Sequence, residues 1–194
     1  MNLLHMDSSI LGTQSASREL SAAIVARWQR DVPGLNVTHR DLAGLDALPH
    51  LDGGALAGSD AILAARSAKV MQEFLPADVI VIGVPMYNFG IPSQLKAWID
   101  RVAVAGKTFR YSADGPEGLA GGKQVIVAAA YGGVHPADGA SNFVEPYLRF
   151  VFGFLGITDI EFVHAQGLSI SADHRAVALA QAHAQIERTL RLAA

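Results

Sequence analysis

Three short stretches of this sequence combine residue types that can hold a ligand. The first, Ser8-Ser9-Ile10-Leu11-Gly12-Thr13-Gln14-Ser15-Ala16-Ser17, presents hydroxyls at Ser9, Ser15 and Ser17 and leads into a helical pattern. Unpaired amides and the positive end of the helix dipole make such a start an anion site. N-capping explains one serine, Ser15 in particular, but not the whole set. A phosphate is the expected occupant, and no Gly-Lys-Ser/Thr follows to mark a nucleoside triphosphatase. The second stretch is Pro85-Met86-Tyr87-Asn88-Phe89-Gly90-Ile91-Pro92. Prolines restrict both ends, Gly90 permits close backbone approach, and Tyr87 and Phe89 can wall a flat ring whose polar edge meets Asn88. Each aromatic alone is ordinary core material; together, behind a central strand, they point to a ring site. The third is Ala130-Tyr131-Gly132-Gly133, in isolation a tight turn. Beside the other two it offers backbone amides that no side chain obstructs.

The elements that must position these loops are legible from periodicity. Asn2 to Met6 reads as a short buried strand, and Leu20, Ile24 and Trp28 recur every four residues on one helical face that stops at Val32-Pro33-Gly34. Leu35, Val37 and His39 alternate with polar neighbours, as in an edge strand buried on one face. Residues 43–59, rich in glycine, read as a long loop or flap. A helix is predicted over 60–75. Val79-Ile80-Val81-Ile82 and Val125-Ile126-Val127-Ala128-Ala129 are central strands. Between them Leu95, Trp98, Ile99 and Val102 mark a helix, and Thr108 to Pro116 a small hairpin. A helix over 143–155, a strand over 160–163 and a closing helix with Leu179, Ala182, Ile186, Leu190 and Ala193 on one face complete the chain. Five strands alternating with helices give an α/β, doubly wound, five-stranded parallel sheet. The strand count, the edge-like second strand and the lack of G-x-G-x-x-G after the first favour the flavodoxin-like order 2-1-3-4-5 over a Rossmann half. Residues 1–194 are expected to form a single domain. In that order a ligand sits at the carboxyl ends of the strands, at the loops after strands one, three and four.

Composition narrows the chemistry. The 194 residues are 51% hydrophobic and 17% charged, which suits a buried core and not a disordered chain. A net charge of −3 and the lack of basic runs give no footing for nucleic acid. Without cysteine there is no disulfide, thiolate metal site, iron–sulfur cluster or cysteine nucleophile. No metal motif such as H-E-x-x-H and no compact set of ligands is visible, so no metal is expected. With no leader or membrane-spanning pattern, the expectation is a soluble cytoplasmic protein.

Ser8-Ser9-Ile10-Leu11 with Ser15-x-Ser17, Pro85-Met86-Tyr87-Asn88-Phe89 with Gln94-Leu95-Lys96, and Phe109-Arg110-Tyr111 with Gly115-Pro116-Glu117-Gly118-Leu119 form one pattern. It extends through Pro146-Tyr147-Leu148 and Gly153 to Thr158, and resembles the FMN-dependent NADH:quinone oxidoreductases, also called NADH-azoreductases. The resemblance implies that Ser9, Ser15, Ala16 and Ser17 hold the FMN phosphate. Met86, Tyr87, Asn88 and Phe89 would wrap the isoalloxazine, and Ala130, Tyr131, Gly132 and Gly133 would border its pyrimidine end. Family members often have Ser-Arg where Ala130 and Tyr131 stand, so this chain lacks that hydroxyl and that cation. The resemblance further implies a homodimer with active sites at the interface, Tyr111 and Phe154 in the substrate pocket, and ping-pong transfer of two electrons from NADH to quinones or azo compounds. No side chain is singled out as catalytic. The competing readings are a flavodoxin-type electron carrier, a flavin-binding interaction module, and a hydrolase of the phosphodiesterase kind. His5 and His164 read as core or edge residues of strands, and His50, His135, His174 and His183 as loop or surface. Phe143, Phe150, Phe152 and Phe154 on one helix exceed what a half-buried helix needs, which agrees with a dimer face.

Overall fold

Two uninterrupted apolar runs set the centre of the molecule. In the computed structural model, which describes residues 1–44, 47–54, 59–136 and 139–189, Val79–Pro85 (β3) and Gln124–Ala130 (β6) are strands buried at every position. They pair in parallel, from Val79 with Gln124 to Pro85 with Ala130. Asn2–Asp7 (β1) lies along the free side of β3, Asn36–Asp41 (β2) outside β1, and Asp159–Ala165 (β7) outside β6. The order β2-β1-β3-β6-β7 is the expected flavodoxin-like one. Phe109–Ser112 (β4) and Gly115–Gly118 (β5) form the expected hairpin, apart from the main sheet.

Alternation along the strands divides the core in two. Leu3, Val79, Val81 and Ile126 face Leu20, Ile24 and Trp28 of Ala16–Asp31 (α1) and Ala182 and Ile186 of Ala172–Thr189 (α5). Leu4, Met6, Ile80, Ile82, Val125 and Val127 face the other way. There they meet Ala61–Phe74 (α2), Ser93–Val102 (α3) and Val144–Phe154 (α4). Side-chain caps start the helices where the sequence supplies an oxygen: Ser15 on α1, Asp60 on α2 and Ser171 on α5.

Some expectations shift. β1 runs on through Asp7, whose carboxylate is buried by the network described below. In β2 the buried residue is Arg40, ion-paired with Glu73 at 2.6 Å, while His39 keeps half its side chain exposed. An ion pair displaced the apolar alternation that the sequence suggested. The loop expected over 43–59 lies partly outside the described residues, although Leu48 tucks into the core. Leu190 and Ala193 of the closing helix also lie outside them. Among the described residues, no helix is long and apolar enough to cross a membrane.

Candidate functional site

Parallel pairing brings the carboxyl ends of β1, β3, β6 and β7 to one edge of the sheet, and the loops leaving them meet in a cleft of about 200 Å³. Ser9, Ser15, Ala16 and Ser17 line it after β1, Met86 and Tyr87 after β3, and Ala130 and Gly132 after β6. Leu168, Ser169 and Arg175 close it after β7. Among the described residues no carboxylate lines this cleft. A donor-rich, acid-free hollow at a helix start is what an anion needs.

A charge network under the serine loop holds it in shape. Arg18 donates from Nε and Nη2 to the Ser9 carbonyl at 3.2 and 2.8 Å, and from Nη1 and Nη2 to the Asp41 carboxylate at 2.9 and 2.6 Å. Burial raises the Asp41 pKa, but the Arg18 hydrogen bond, the Ala43 N–H and the Arg18 charge together outweigh it and hold Asp41 below the usual carboxylate range. Behind Arg18, Asp7 accepts from Ser21 at 2.8 Å and bonds His39 Nε2 at 2.9 Å. Burial pushes Asp7 up, yet the nearby His5 imidazole and the His39 and Ser21 hydrogen bonds together prevail and bring it down to about 2. His5, Asp7 and His39 offer three possible metal-ligand atoms within 4.8 Å of one another, correcting the expectation that no compact set exists. The β1–β2 register creates this set by placing His5 opposite His39. Both Asp7 oxygens already serve the Ser21, His39 and Arg18 contacts, so the cluster reads as support for the loop. Nearer the cleft, Ser15 Oγ meets Ser17 Oγ at 3.0 Å, and Tyr87 Oη meets Ser9 Oγ and the Ile10 N–H, each at 3.2 Å. Tyr87 thus ties the first loop to the second.

That second loop is shaped by its backbone. Tyr87 and Gly90 exchange two hydrogen bonds of 3.0 Å, with Asn88 at φ 48° and Phe89 at φ 70° between them. Two successive left-handed residues make a tight turn that β-hairpins normally assign to Asn-Gly. Asn88 and Phe89 carry the strained angles of the turn. Both side chains are exposed, Phe89 by 52%, and the Phe89 ring meets His135 edge-on at 5.8 Å.

In the third loop the carbonyls of Tyr131, Gly132 and Gly133 accept from Leu168, Ser169 and Gly167. The β7–α5 loop is thereby laced to the β6–α4 loop. The Tyr131 ring is fully buried in the core beside His135 and His164, and the cleft is lined on either side of it by Ala130 and Gly132. Burial, with the Glu145 charge, raises its hydroxyl pKa well above the usual range. Sequence reading missed Leu168, Ser169 and Arg175 because it confined the ligand to the loops after strands one, three and four. The signal was present as a fourth strand-to-helix loop with its own glycine and hydroxyls, Gly167-Leu168-Ser169 and Ser171.

A family model described as a flavodoxin-like fold matches residues 1–190. An FMN-dependent NADH:quinone oxidoreductase 1 of Xanthomonas axonopodis pv. citri (strain 306) is 60% identical, covering 94% of this chain and 93% of the relative. An FMN-dependent NADH:quinone oxidoreductase of Rhizobium meliloti (strain 1021) is 53% identical, covering 96% and 95%. The chain belongs to the FMN-dependent NADH:quinone oxidoreductase family. Among solved structures, an azoreductase from Bacillus anthracis str. Sterne superposes with a TM-score of 0.85 at 29% identity, over 96% of each chain.

For a member of this family, the positions of Tyr111 and Phe154 are informative. Both flank Phe109, with ring centroids at 5.6 and 4.6 Å. Phe154 ends α4 and the hairpin precedes β6, so both lie at the amino ends of the strands, opposite the cleft. Within one chain they do not join it. A second hollow of about 550 Å³ lies beyond the Tyr87–Gly90 turn and includes His50, Ile91, Lys96, Phe143 and Tyr147. Phe143 and Phe150 are 61% and 77% exposed, whereas Phe152 is fully buried, so core packing accounts for only part of the phenylalanine surplus.

Proposed function

We propose that this chain binds FMN in the cleft and is an oxidoreductase that moves two electrons from NADH to quinones and azo compounds. The observation that carries this reading is one cleft with two chemically distinct ends. At one end the Ser9, Ser15 and Ser17 hydroxyls, the α1 amides and an acid-free lining suit a phosphate dianion. At the other, Met86 and Tyr87 lead into a rigid turn whose Asn88 and Phe89 are free to meet a flat ring and its polar edge. The donor set therefore fits FMN. When bound, FMN accepts two electrons from the donor and delivers them to the acceptor.

In this proposal the chain's residues bind, orient and exclude water. Ser9, Ser15, Ala16 and Ser17 hold the phosphate, and Met86 to Phe89 flank the ring. Ala130 to Gly133 border its far edge, with the Gly132 and Gly133 N–H groups as the donors, since the carbonyls of Tyr131, Gly132 and Gly133 accept elsewhere and the Tyr131 N–H is given to the Ala165 carbonyl. Amides aimed at that edge favour negative charge developing there. Donor and acceptor use the same exposed side in turn, which is a ping-pong order. We further propose a homodimer, in which Tyr111 and Phe154 of one copy complete the substrate pocket of the other. Their distance from the cleft of their own chain and the exposed Phe143 and Phe150 support this. Residues 1–194 act as one domain, working in the cytoplasm where reduced nicotinamide is available.

Titration of the FMN-free chain with FMN, followed by flavin fluorescence, tests the site. Ser9→Ala and Asn88→Ala are expected to weaken FMN by about tenfold each, the scale of one or two lost hydrogen bonds. Wild-type affinity and turnover in both variants would refute the assignment.

A further inference from the structure

We infer that Arg175, in the first turn of α5, is a counter-charge for the phosphate held at the serine loop, and so a determinant of selectivity for a phosphorylated flavin. This rests on the proposed FMN site and adds to it a residue from the opposite side of the cleft. Arg175 lies in the first turns of α5 and lines the same hollow as Ser9, Ser15 and Ser17. Among the described residues its guanidinium has no carboxylate or hydrogen-bond partner, whereas Arg18 beneath the same loop is held by Asp41 and Asp7. Arg18 shapes the loop from below and points its donors at a protein carbonyl. Arg175 is the cation left to face the occupant.

The helices fix its height. α1 and α5 pack side by side, joined by Glu19 with His183 at 3.0 Å and Arg30 with Glu187 at 3.0 Å. Arg175 precedes His183 by eight residues, or about 12 Å of helix, while Glu19 stands only about 5 Å from the start of α1. Together with the Arg27 contact to the Ile186 carbonyl, these ties place the Arg175 backbone at about the level of the start of α1, beside the serine hydroxyls. A planar, permanently charged fork at that level matches a phosphate, which it can grip with two hydrogen bonds. The lacing of the β7–α5 loop onto Gly132 and Gly133 holds the base of α5 in register with the rest of the cleft.

The test uses the FMN-free full chain and compares FMN with riboflavin, which has the same ring and no phosphate. Dissociation constants come from quenching of flavin fluorescence, for wild type, Arg175→Gln and Arg175→Lys, at low and high salt. Arg175→Gln is expected to weaken FMN by tenfold or more, on the scale of a charge-assisted pair. Riboflavin should change by less than about twofold, Arg175→Lys should recover part of the FMN affinity, and the salt dependence of FMN binding should flatten in Arg175→Gln. Unchanged FMN affinity in Arg175→Gln would overturn the inference. So would equal weakening of FMN and riboflavin, which marks a merely structural role. Unchanged FMN affinity with a raised KM for NADH would also overturn it, assigning the cation to the donor instead. A wild-type chain that binds neither flavin would refute the underlying FMN site, a result separate from all of these.

Discussion

The two ends of the cleft are made rigid by different means. At the serine end the backbone is ordinary and the side chains do the holding: Arg18 grips the Ser9 carbonyl while Asp41 and Asp7 grip Arg18. At the ring end the side chains stand exposed and the backbone does the holding, through the Tyr87–Gly90 pair and the left-handed Asn88 and Phe89. An anion needs a field of fixed sign, which a buried charge network supplies. A flat ring needs a wall of fixed shape, which a tight turn supplies even at the cost of strain. Perturbing the network should therefore change charge-dependent behaviour, and perturbing the turn should change shape recognition.

The largest effect is expected where the network touches the sheet. A Cβ at Gly83 would lie 2.9 Å from the Ser17 carbonyl oxygen and 3.0 Å from Asp7 Oδ1. Gly83→Val should lower stability by about 3 kcal/mol and weaken FMN, because α1 and its serine loop must move. Gly118→Ala is the control at the other end of the sheet, where a Cβ would meet the Gly156 backbone nitrogen at 2.1 Å. It should lower Tm comparably and leave FMN affinity of the folded chain unchanged; urea melts and FMN titration of both variants separate the cases. Next in size, Arg18→Ala strips the Ser9 carbonyl of its anchor and leaves Asp41 and Asp7 without their cation. A loss of about 2 kcal/mol is expected, with the FMN phosphate affected more than the ring, as riboflavin controls would reveal.

Acid should act on the same end. Asp7 is lowered from 3.8 to about 2, so the stability it confers is fully present above about pH 4 and is lost as pH falls through about 2. That shift corresponds to about 2 kcal/mol. Asp7→Asn should flatten this part of the stability–pH curve in denaturant melts between pH 5 and 2. A wild-type slope in that variant would show that another carboxylate is responsible. The smallest effect belongs to the turn: Phe89→Gly relieves a left-handed non-glycine residue and should stabilise the free chain by up to about 1 kcal/mol. The same change should weaken riboflavin and FMN alike, since it removes ring contact and no charge.

The strand order was readable because Val79–Ile82 and Val125–Ala129 are too apolar for anything but central strands. That the serine loop and Met86-Tyr87 meet at one cleft was readable because each directly follows a strand of a parallel sheet. What escaped depends on register and packing. His5 and His39 are 34 residues apart and meet only because β1 and β2 pair at those positions. Tyr131 looked like a cleft residue beside two glycines, but strand alternation carries its ring into the core. Arg175 is one more charged residue on a helix until α5 is laid against α1. The left-handed angles of Asn88 and Phe89 are set by the turn that the Tyr87–Gly90 hydrogen bonds close, and no residue type announces them. That Tyr111 and Phe154 lie away from the cleft of their own chain follows from topology and not from any residue type.

One experiment addresses the central claim directly: the absorbance spectrum of the chain reconstituted with FMN, followed anaerobically in one cuvette through addition of NADH and then of a quinone. Protein-bound flavin bands should bleach with one equivalent of NADH and return in full with one equivalent of quinone. Bands that persist with NADH, or an FMN-saturated chain that bleaches but is not reoxidised by quinone or azo acceptors, would contradict that claim.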